Sequence, residues 1–490
     1  MFLPACIFIA QYYNGMPISP EHNGFRQSPH NVPFIRAQSG LLRRSSHKSR
    51  IPELSPQRDK NPRTEASPGG TLIIPDNSDD VLTNSTPTPL TYFGLHIHHL
   101  VTADRGHQLT LWPPIKFGSW RLWDAGVAWP NLEPAPHEWN FNVLDAYVRL
   151  ARLHHTQIVL PLALTPPWAS AHPYQPSAYG YGLAAPPRAL DEWRRYVFRV
   201  ATRYKGVIRY YELWNEINSK QFYTGSVRAM VVMARVAYQA LKTVDPNNQL
   251  ISPSMYGSGQ NLALLSRYLS AGGRRYADII GYHFYVPSSA PEAMLPLIRR
   301  VKKIMMRNGL GTKPLWDTET GWRIVNTDST PDPMEGLRSW RLLGARRAAN
   351  FVSRALILGR AASLGRFFWY AWDNQGMGLI NLDTMTLKPA ANAYAQTESW
   401  IIGRPVSCRI QDPVIACELG NEGAQIVWST RGQRSWKPPR GWEIARAQEL
   451  NGKVSSRLNS THILIDGAPQ FLTLRQSPES LSSTMRVDSK

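Results

Sequence analysis

The chain has 490 residues, 43% hydrophobic and 10% aromatic, with 17 Trp and 20 Tyr, enough apolar material for a large core; wholesale disorder is excluded. No uncharged apolar run reaches the ~20 residues of a membrane-spanning helix, and three cysteines (Cys6, Cys408, Cys417) without a CxxC or Cys/His cluster build neither a disulfide scaffold nor a zinc module. The net charge of +20 sits mainly in residues 89–399, which hold 34 basic and 20 acidic side chains. Such a surface attracts polyanions of any kind, and with no zinc-finger or RNP-like motif beside it the charge points to no nucleic-acid partner.

Residues 1–88 read as a disordered or poorly ordered extension. They are rich in Ser, Pro, Asn and Arg and keep no period of 2 or 3.6, so they cannot bury enough apolar surface to offset their ordering entropy. The opening MFLPACIFIA is apolar but lacks the basic leader of a signal peptide.

From Thr91 short β-rich runs alternate with helical segments, the pattern of βα units around a parallel sheet. Eight strands are predicted over 91–98, 119–124, 157–164, 208–216, 250–255, 279–286, 314–319 and 367–373. Helices are predicted over 141–154, 190–204, 227–244, 261–271, 291–308, 335–359 and 389–400, and the third stops before Asp245-Pro246. The connection 102–116 has no clear helical pattern. Eight strands with interleaved helices give an α/β fold of the TIM-barrel, (β/α)8, type over 89–402. After Gly403 the period shifts toward 2, with strand-like runs at 414–418, 424–429, 462–465 and 471–474. A β-sandwich-like antiparallel accessory domain is expected over 403–476, then a flexible tail, 477–490. Cys408 and Cys417 either pair there or remain free thiols.

In such a barrel catalytic groups stand at the C-terminal ends of strands. The fourth predicted strand closes on Glu212-Leu213-Trp214-Asn215-Glu216 and the seventh on Asp317-Thr318-Glu319, so two well-separated strands each carry a carboxylate to the rim. Cleavage of a glycosidic bond uses such a pair, one acid protonating the leaving oxygen and one carboxylate supporting or attacking the anomeric carbon. Glu212 and Asp317 share the strand parity of Glu216 and Glu319 and read as structural acids one layer deeper. Asp124 and Asp373, at the ends of strands two and eight, either contact hydroxyls or cap loops. Trp123, Trp129, Trp168, Trp322 and Trp372 fall at or beyond strand ends, where an indole either stacks on a sugar face or fills the core. His96 and His98 lie on one face and His99 on the other, with no metal-binding partner.

The segments RLWDAGVAWPNLEP (121–134), ALTPPWAS (163–170), ELWNEIN (212–218), HFY (283–285) and TETGW (318–322) occur in the order and at the strand ends of a known group. Over residues 90–400 the chain resembles the retaining glycoside hydrolases with (β/α)8 barrels, clan A, and most closely glycoside hydrolase family 39 and its bacterial relatives. The resemblance implies that Glu216 is the acid/base and Glu319 the nucleophile. It also implies that Asn215, Arg121, His283, Tyr285, Trp168, Trp372, Trp322 and Asp124 bind or position substrate. Its further implications are no metal and no cofactor, and a carbohydrate substrate of β-xyloside or exopolysaccharide type, with an acidic polymer compatible with the basic barrel. An extracytoplasmic location suits such a substrate. The sequence leaves sugar, linkage and oligomeric state open, and a non-catalytic polysaccharide-binding protein with the same cleft is the alternative.

Overall fold

The computed structural model describes residues 81–102, 109–337, 339–420, 423–455 and 458–477. Cys6, the rest of 1–80 and the tail from 478 lie outside the described residues. Eight parallel strands form the barrel: Phe93–Leu95, Ser119–Arg121, Gln157–Leu162, Tyr210–Leu213, Gln249–Ile251, Ile280–Tyr282, Leu315–Thr320 and Phe367–Trp369. Their order around the sheet follows the chain, with the eighth beside the first. Bridges Ile251–Ile279 and Tyr256–His283 close the ring between strands five and six. Each predicted strand is present, most of them shorter than expected. β-rich composition continues past the last ladder bond into rim loops, where the backbone turns to aim side chains over the barrel mouth.

Helices Asn142–Leu153, Leu190–Arg203, Val227–Val244, Gln260–Ser270, Met294–Arg307, Ala345–Ala361 and Pro389–Ile401 cover the sheet. Val227–Val244 shows why they form. Ser226 caps it by accepting from the Ala229 N–H, Met230, Met233, Ala234, Ala237 and Leu241 supply a buried face at helical spacing, and Asp245-Pro246 ends it. The helix predicted from 335 begins instead at Ala345. Arg323–Ile324 and Leu342–Leu343 pair instead as two short parallel strands, and Arg323 pairs with Asp332 and donates to the carbonyls of Leu337 and Trp340. Met334 and Trp340 are buried in this segment.

The barrel interior is filled from below. Val159, Ile251, Ile279, Trp316 and Phe368 form its floor, and the Arg366 guanidinium lies 4.1 and 4.2 Å from the ring centres of Tyr210 and Trp316. Only glycine fits at position 94, where a Cβ would lie 2.5 Å from the Phe368 ring. Above this floor the interior becomes polar.

The C-terminal region contains a six-stranded antiparallel sheet and a three-stranded one. They face each other across Val427, Trp436, Ile444, Ala447, Ile463, Ile465, Leu472 and Leu474. The larger sheet also packs toward the barrel: Trp428 Nε1 donates to Glu292 and Trp400 Nε1 to Gln448. Its edge strand is Val81–Asn84, paired antiparallel with residues 406–409. Residues 81–88 were expected within the extension and are ordered: besides the ladder, Arg360 donates to the carbonyls of Thr86 and Pro87, and Asn84 donates to the Arg360 carbonyl. Those bonds are distant in sequence, so a local reading of composition has no access to them. Cys408 and Cys417 stand directly opposite one another on neighbouring strands and form a disulfide. Among the described residues no helix is long and apolar enough to cross a membrane.

Candidate active site

Arg121 organises the barrel mouth. From the inward face of strand two its Nε donates to Glu212 Oε2, its Nη1 to Glu319 Oε2 at 2.9 Å and its Nη2 to Asn215 Oδ1 at 2.7 Å. All four residues are fully buried. Glu212 also accepts from Ser254 Oγ, which lies 2.7 Å from Thr318 Oγ1. With both oxygens engaged, Glu212 fixes Arg121 and has a structural role, as expected.

Glu319 reaches the mouth through an irregularity. Strand seven pairs Asp317 with Phe367 and Thr320 with Trp369, so three residue steps on one strand match two on its neighbour. Trp316 lies in the interior floor and Thr318 meets Ser254 there. Alternation would send Glu319 outward with Asp317, but the extra residue turns it in beside Thr318. The shared parity expected for Asp317 and Glu319 is therefore corrected: Asp317 faces the other way and accepts from the Phe284 N–H at 3.3 Å. Burial raises its pKa well above the usual carboxylate range.

Glu216 arrives by a different device. After strand four the chain takes left-handed conformations at Trp214 (φ 59°) and Glu216 (φ 43°), uncommon for residues with a Cβ. Its Oε1 lies 2.9 Å from His283 Nδ1, while Oε2 is buried without a hydrogen-bond partner. Burial, and then the neighbouring Glu319, raise the Glu216 pKa well above the usual range, against an opposing pull from Arg121. Glu319 has two strong donors, Arg121 and the Tyr285 hydroxyl at 2.9 Å from Oε1. The two acids therefore have different surroundings: Glu319 accepts from two strong donors, whereas burial and Glu319 favour the neutral form of Glu216.

One carboxylate oxygen from each of Glu216 and Glu319, with a His283 ring nitrogen, all lie within 4.8 Å of one another. These are metal-ligand types, but Arg121 already supplies a cation to Glu319 and burial favours the neutral form of Glu216, so the surroundings suit a metal ion poorly. Burial, and then Arg121, lower the His283 pKa well below its ordinary value, which keeps the ring neutral. Asn215 Nδ2, Glu216 Oε2 and His283 Nε2 are buried polar atoms without protein partners. Such atoms need an occupant, and a hydroxyl-rich ligand suits both the donor and the acceptors.

Arg121, Asn215, His283, Tyr285, Glu216 and Glu319 thus converge. Asp124 lies beside them on strand two's continuation, with its oxygens accepting from the hydroxyls of Tyr179 and Tyr370. Trp372, on the continuation of strand eight, donates its backbone N–H to His96 O. Trp168 packs edge-on against Trp129 and gives its indole N–H to Glu133 O at 3.0 Å. Trp322 departs from the sequence expectation. It is fully buried against Trp369 and Phe351, and its N–H serves the carbonyls of Val286 and Ser289, so it packs as core. Asp373 is a loop cap, accepting from the N–H groups of His98 and His99 and from Thr110. Sequence reasoning missed Tyr179, Tyr370 and Trp340. Tyr370 was accessible, since it follows inward Phe368 by two; Trp340, 5.2 Å from Tyr285 between ring centres, lay in the supposed helix.

No family model matches the chain, and no curated protein sequence matches it. Solved structures do. A family 39 glycoside hydrolase from the gut symbiont Bacteroides cellulosilyticus is 18% identical with a TM-score of 0.61, over 79% of this chain and 81% of that one. A family 39 β-xylosidase from Caulobacter crescentus is 14% identical, TM-score 0.56, over 81% and 98%. The catalytic domain of family 30 xylanase C from Talaromyces cellulolyticus is 13% identical, TM-score 0.51, over 80% and 98%. At these identities the likeness is one of fold: the chain has the barrel architecture of family 39 and family 30 glycoside hydrolases.

Proposed function

We propose that this chain is a retaining O-glycosidase that hydrolyses β-glycosidic bonds in an oligo- or polysaccharide of β-xyloside or exopolysaccharide type. The observation that carries the reading is that one carboxylate oxygen of Glu216 and one of Glu319 lie within 4.8 Å of each other. Retaining enzymes hold their carboxyl groups about 5–5.5 Å apart, whereas inversion needs roughly 6.5–9.5 Å to admit a water. The fold likeness to glycoside hydrolases supports the same class.

Glu319, ionised beside Arg121, attacks the anomeric carbon, and Glu216 gives its proton to the departing oxygen. A water then enters; Glu216, now a carboxylate, takes its proton as the hydroxide oxygen displaces Glu319 and releases the sugar with its original configuration. Asn215 Nδ2 binds the sugar 2-hydroxyl, a bond that strengthens as the ring flattens. Tyr285 and Arg121 orient the nucleophile, His283 holds Glu216, and Trp372, Trp168 and Asp124 are assigned to the sugar-binding surroundings. The Cys408–Cys417 disulfide fits an oxidising, extracytoplasmic setting.

The test is direct. Glu319→Ala should abolish turnover of aryl β-glycosides with the fold intact. Glu216→Ala should still form the glycosyl-enzyme from a substrate with a good leaving group, and azide should accelerate its release as the β-glycosyl azide. Near-normal turnover in the first variant, or sugar binding without hydrolysis by the wild type, refutes the proposal.

A further inference from the structure

Beside the catalytic mouth, a cavity of about 720 Å³ opens between the start of helix Ala345–Ala361 and the β domain. Arg341, Arg346, Arg347 and Arg354 all line it, with a single carboxylate, Asp466, among its lining residues. Arg346 pairs with Asp466 at 2.7 Å and Arg354 makes a two-pronged pair with Glu292. Arg341 and Arg347 have no carboxylate partner among the described residues. A second cavity of about 640 Å³ shares Ala345, Arg346, Asn350 and Asp466 with the first, so the two adjoin in a trough along the seam, with the Arg346–Asp466 pair lining both.

Two features make this more than a basic surface. The first turn of the helix carries Arg346 and Arg347 and no acidic residue, and Gly344 offers no capping side chain. Cations at a helix N-terminus oppose the helix dipole, an arrangement that an anion between them would relieve. The trough also adjoins the reaction centre. Helices of a (β/α)8 barrel start at the face where its catalytic groups stand. Trp340, next to Arg341, packs on Tyr285, the hydroxyl partner of Glu319. Arg341 itself is tied through its N–H to Pro287 O, on the loop that follows His283 and Tyr285.

We propose that this trough is a secondary site for the carboxylate groups of an acidic glycan, with Arg341 and Arg347 as its ligand-binding cations. The proposal rests on the glycosidase reading and narrows its substrate class to uronate-bearing polymers. Guanidinium forks pair with planar carboxylates through two parallel N–H···O bonds, and two adjoining cavities suit successive units of a chain better than a single small anion.

The experiment uses Arg341→Ala/Arg347→Ala in the full chain, with Glu319→Gln as background for binding so that no substrate is consumed. Calorimetric titration with size-defined polygalacturonate and alginate oligomers should give a Kd about tenfold weaker in the double variant. Its salt dependence should also be shallower, because fewer charge contacts are lost as ions screen them. Turnover of a neutral aryl β-glycoside should be unchanged by the double substitution, while KM for a susceptible uronate-bearing polymer rises and kcat stays level. Equal oligomer affinity with and without the two arginines overturns the site. So does an equal loss of affinity for single-stranded DNA, the mark of general electrostatic attraction, or competition by inorganic sulfate as strong per charge as by the oligomer. A wild type inert on every glycoside that still loses uronate binding in the double variant would sink the enzymatic reading and leave the site standing.

Discussion

Arg121 offers the sharpest test of how this barrel mouth is held together. Its guanidinium spends three nitrogens on Glu212, Glu319 and Asn215, all out of contact with solvent. Replacement by Met leaves two buried carboxylates facing one another without their cation. Breaking one buried pair costs about 3–5 kcal/mol, and here two break, against a total stability of about 5–15 kcal/mol; the Met variant should fail to accumulate as folded protein. Arg121→Lys keeps the charge but has no fork. One ammonium can serve one of the three acceptors well, so two charge-assisted bonds weaken at about 1.5–3 kcal/mol each.

The Lys variant should therefore fold, melt well below wild type, and lose about 10²-fold or more in kcat/KM, each tenfold step being 1.36 kcal/mol. Circular dichroism melts and initial rates on an aryl β-glycoside measure both. A Lys variant with wild-type melting and wild-type kcat/KM would refute the view that the Arg121 fork holds Glu212, Glu319 and Asn215 in place.

Glu216→Gln should raise the melting temperature at neutral pH. Burial and Glu319 raise the Glu216 pKa in the fold, so the stability that its protonated form contributes is whole below the ordinary value of 4.5 and is lost as pH rises through the folded-state value; a neutral amide escapes that loss, and the two proteins should melt alike in acid. Asp373→Ala strips the acceptor from the His98 and His99 N–H groups and from Thr110, and should cost about 2–4 kcal/mol in denaturant unfolding. Replacing Cys408 and Cys417 by Ala opens a link across a sequence separation of 9; chain entropy puts the loss at about 2.7 kcal/mol, visible as an earlier transition of the β domain.

How far the sequence could be read follows from the range of each interaction. The eight barrel strands and seven main helices were legible because burial on a sheet or a helix face imposes a period within a dozen residues. The identity of the two rim glutamates was legible for the same reason: both stand at predicted strand ends. Their orientation was not. Glu319 faces the mouth through one extra residue in strand seven relative to strand eight, and Glu216 through left-handed backbone at itself and Trp214; neither device leaves a mark in hydrophobic periodicity. Trp322 shows the converse: a residue three positions after Glu319 proved to be core because its indole met Trp369 and Phe351 from distant elements.

The two glutamates start from identical chemistry, and the difference between them is built entirely from neighbours. Glu319 receives a guanidinium and a phenol, both donors that strengthen its charge. Glu216 receives a histidine that burial and Arg121 keep neutral, and beyond that an oxygen left without a protein partner. Arg121 could in principle have stabilised both acids and erased the distinction. It pulls on Glu216 too, but its nitrogens bond Glu319, Glu212 and Asn215, Ser254 locks Glu212 in place, and at Glu216 burial outweighs that pull.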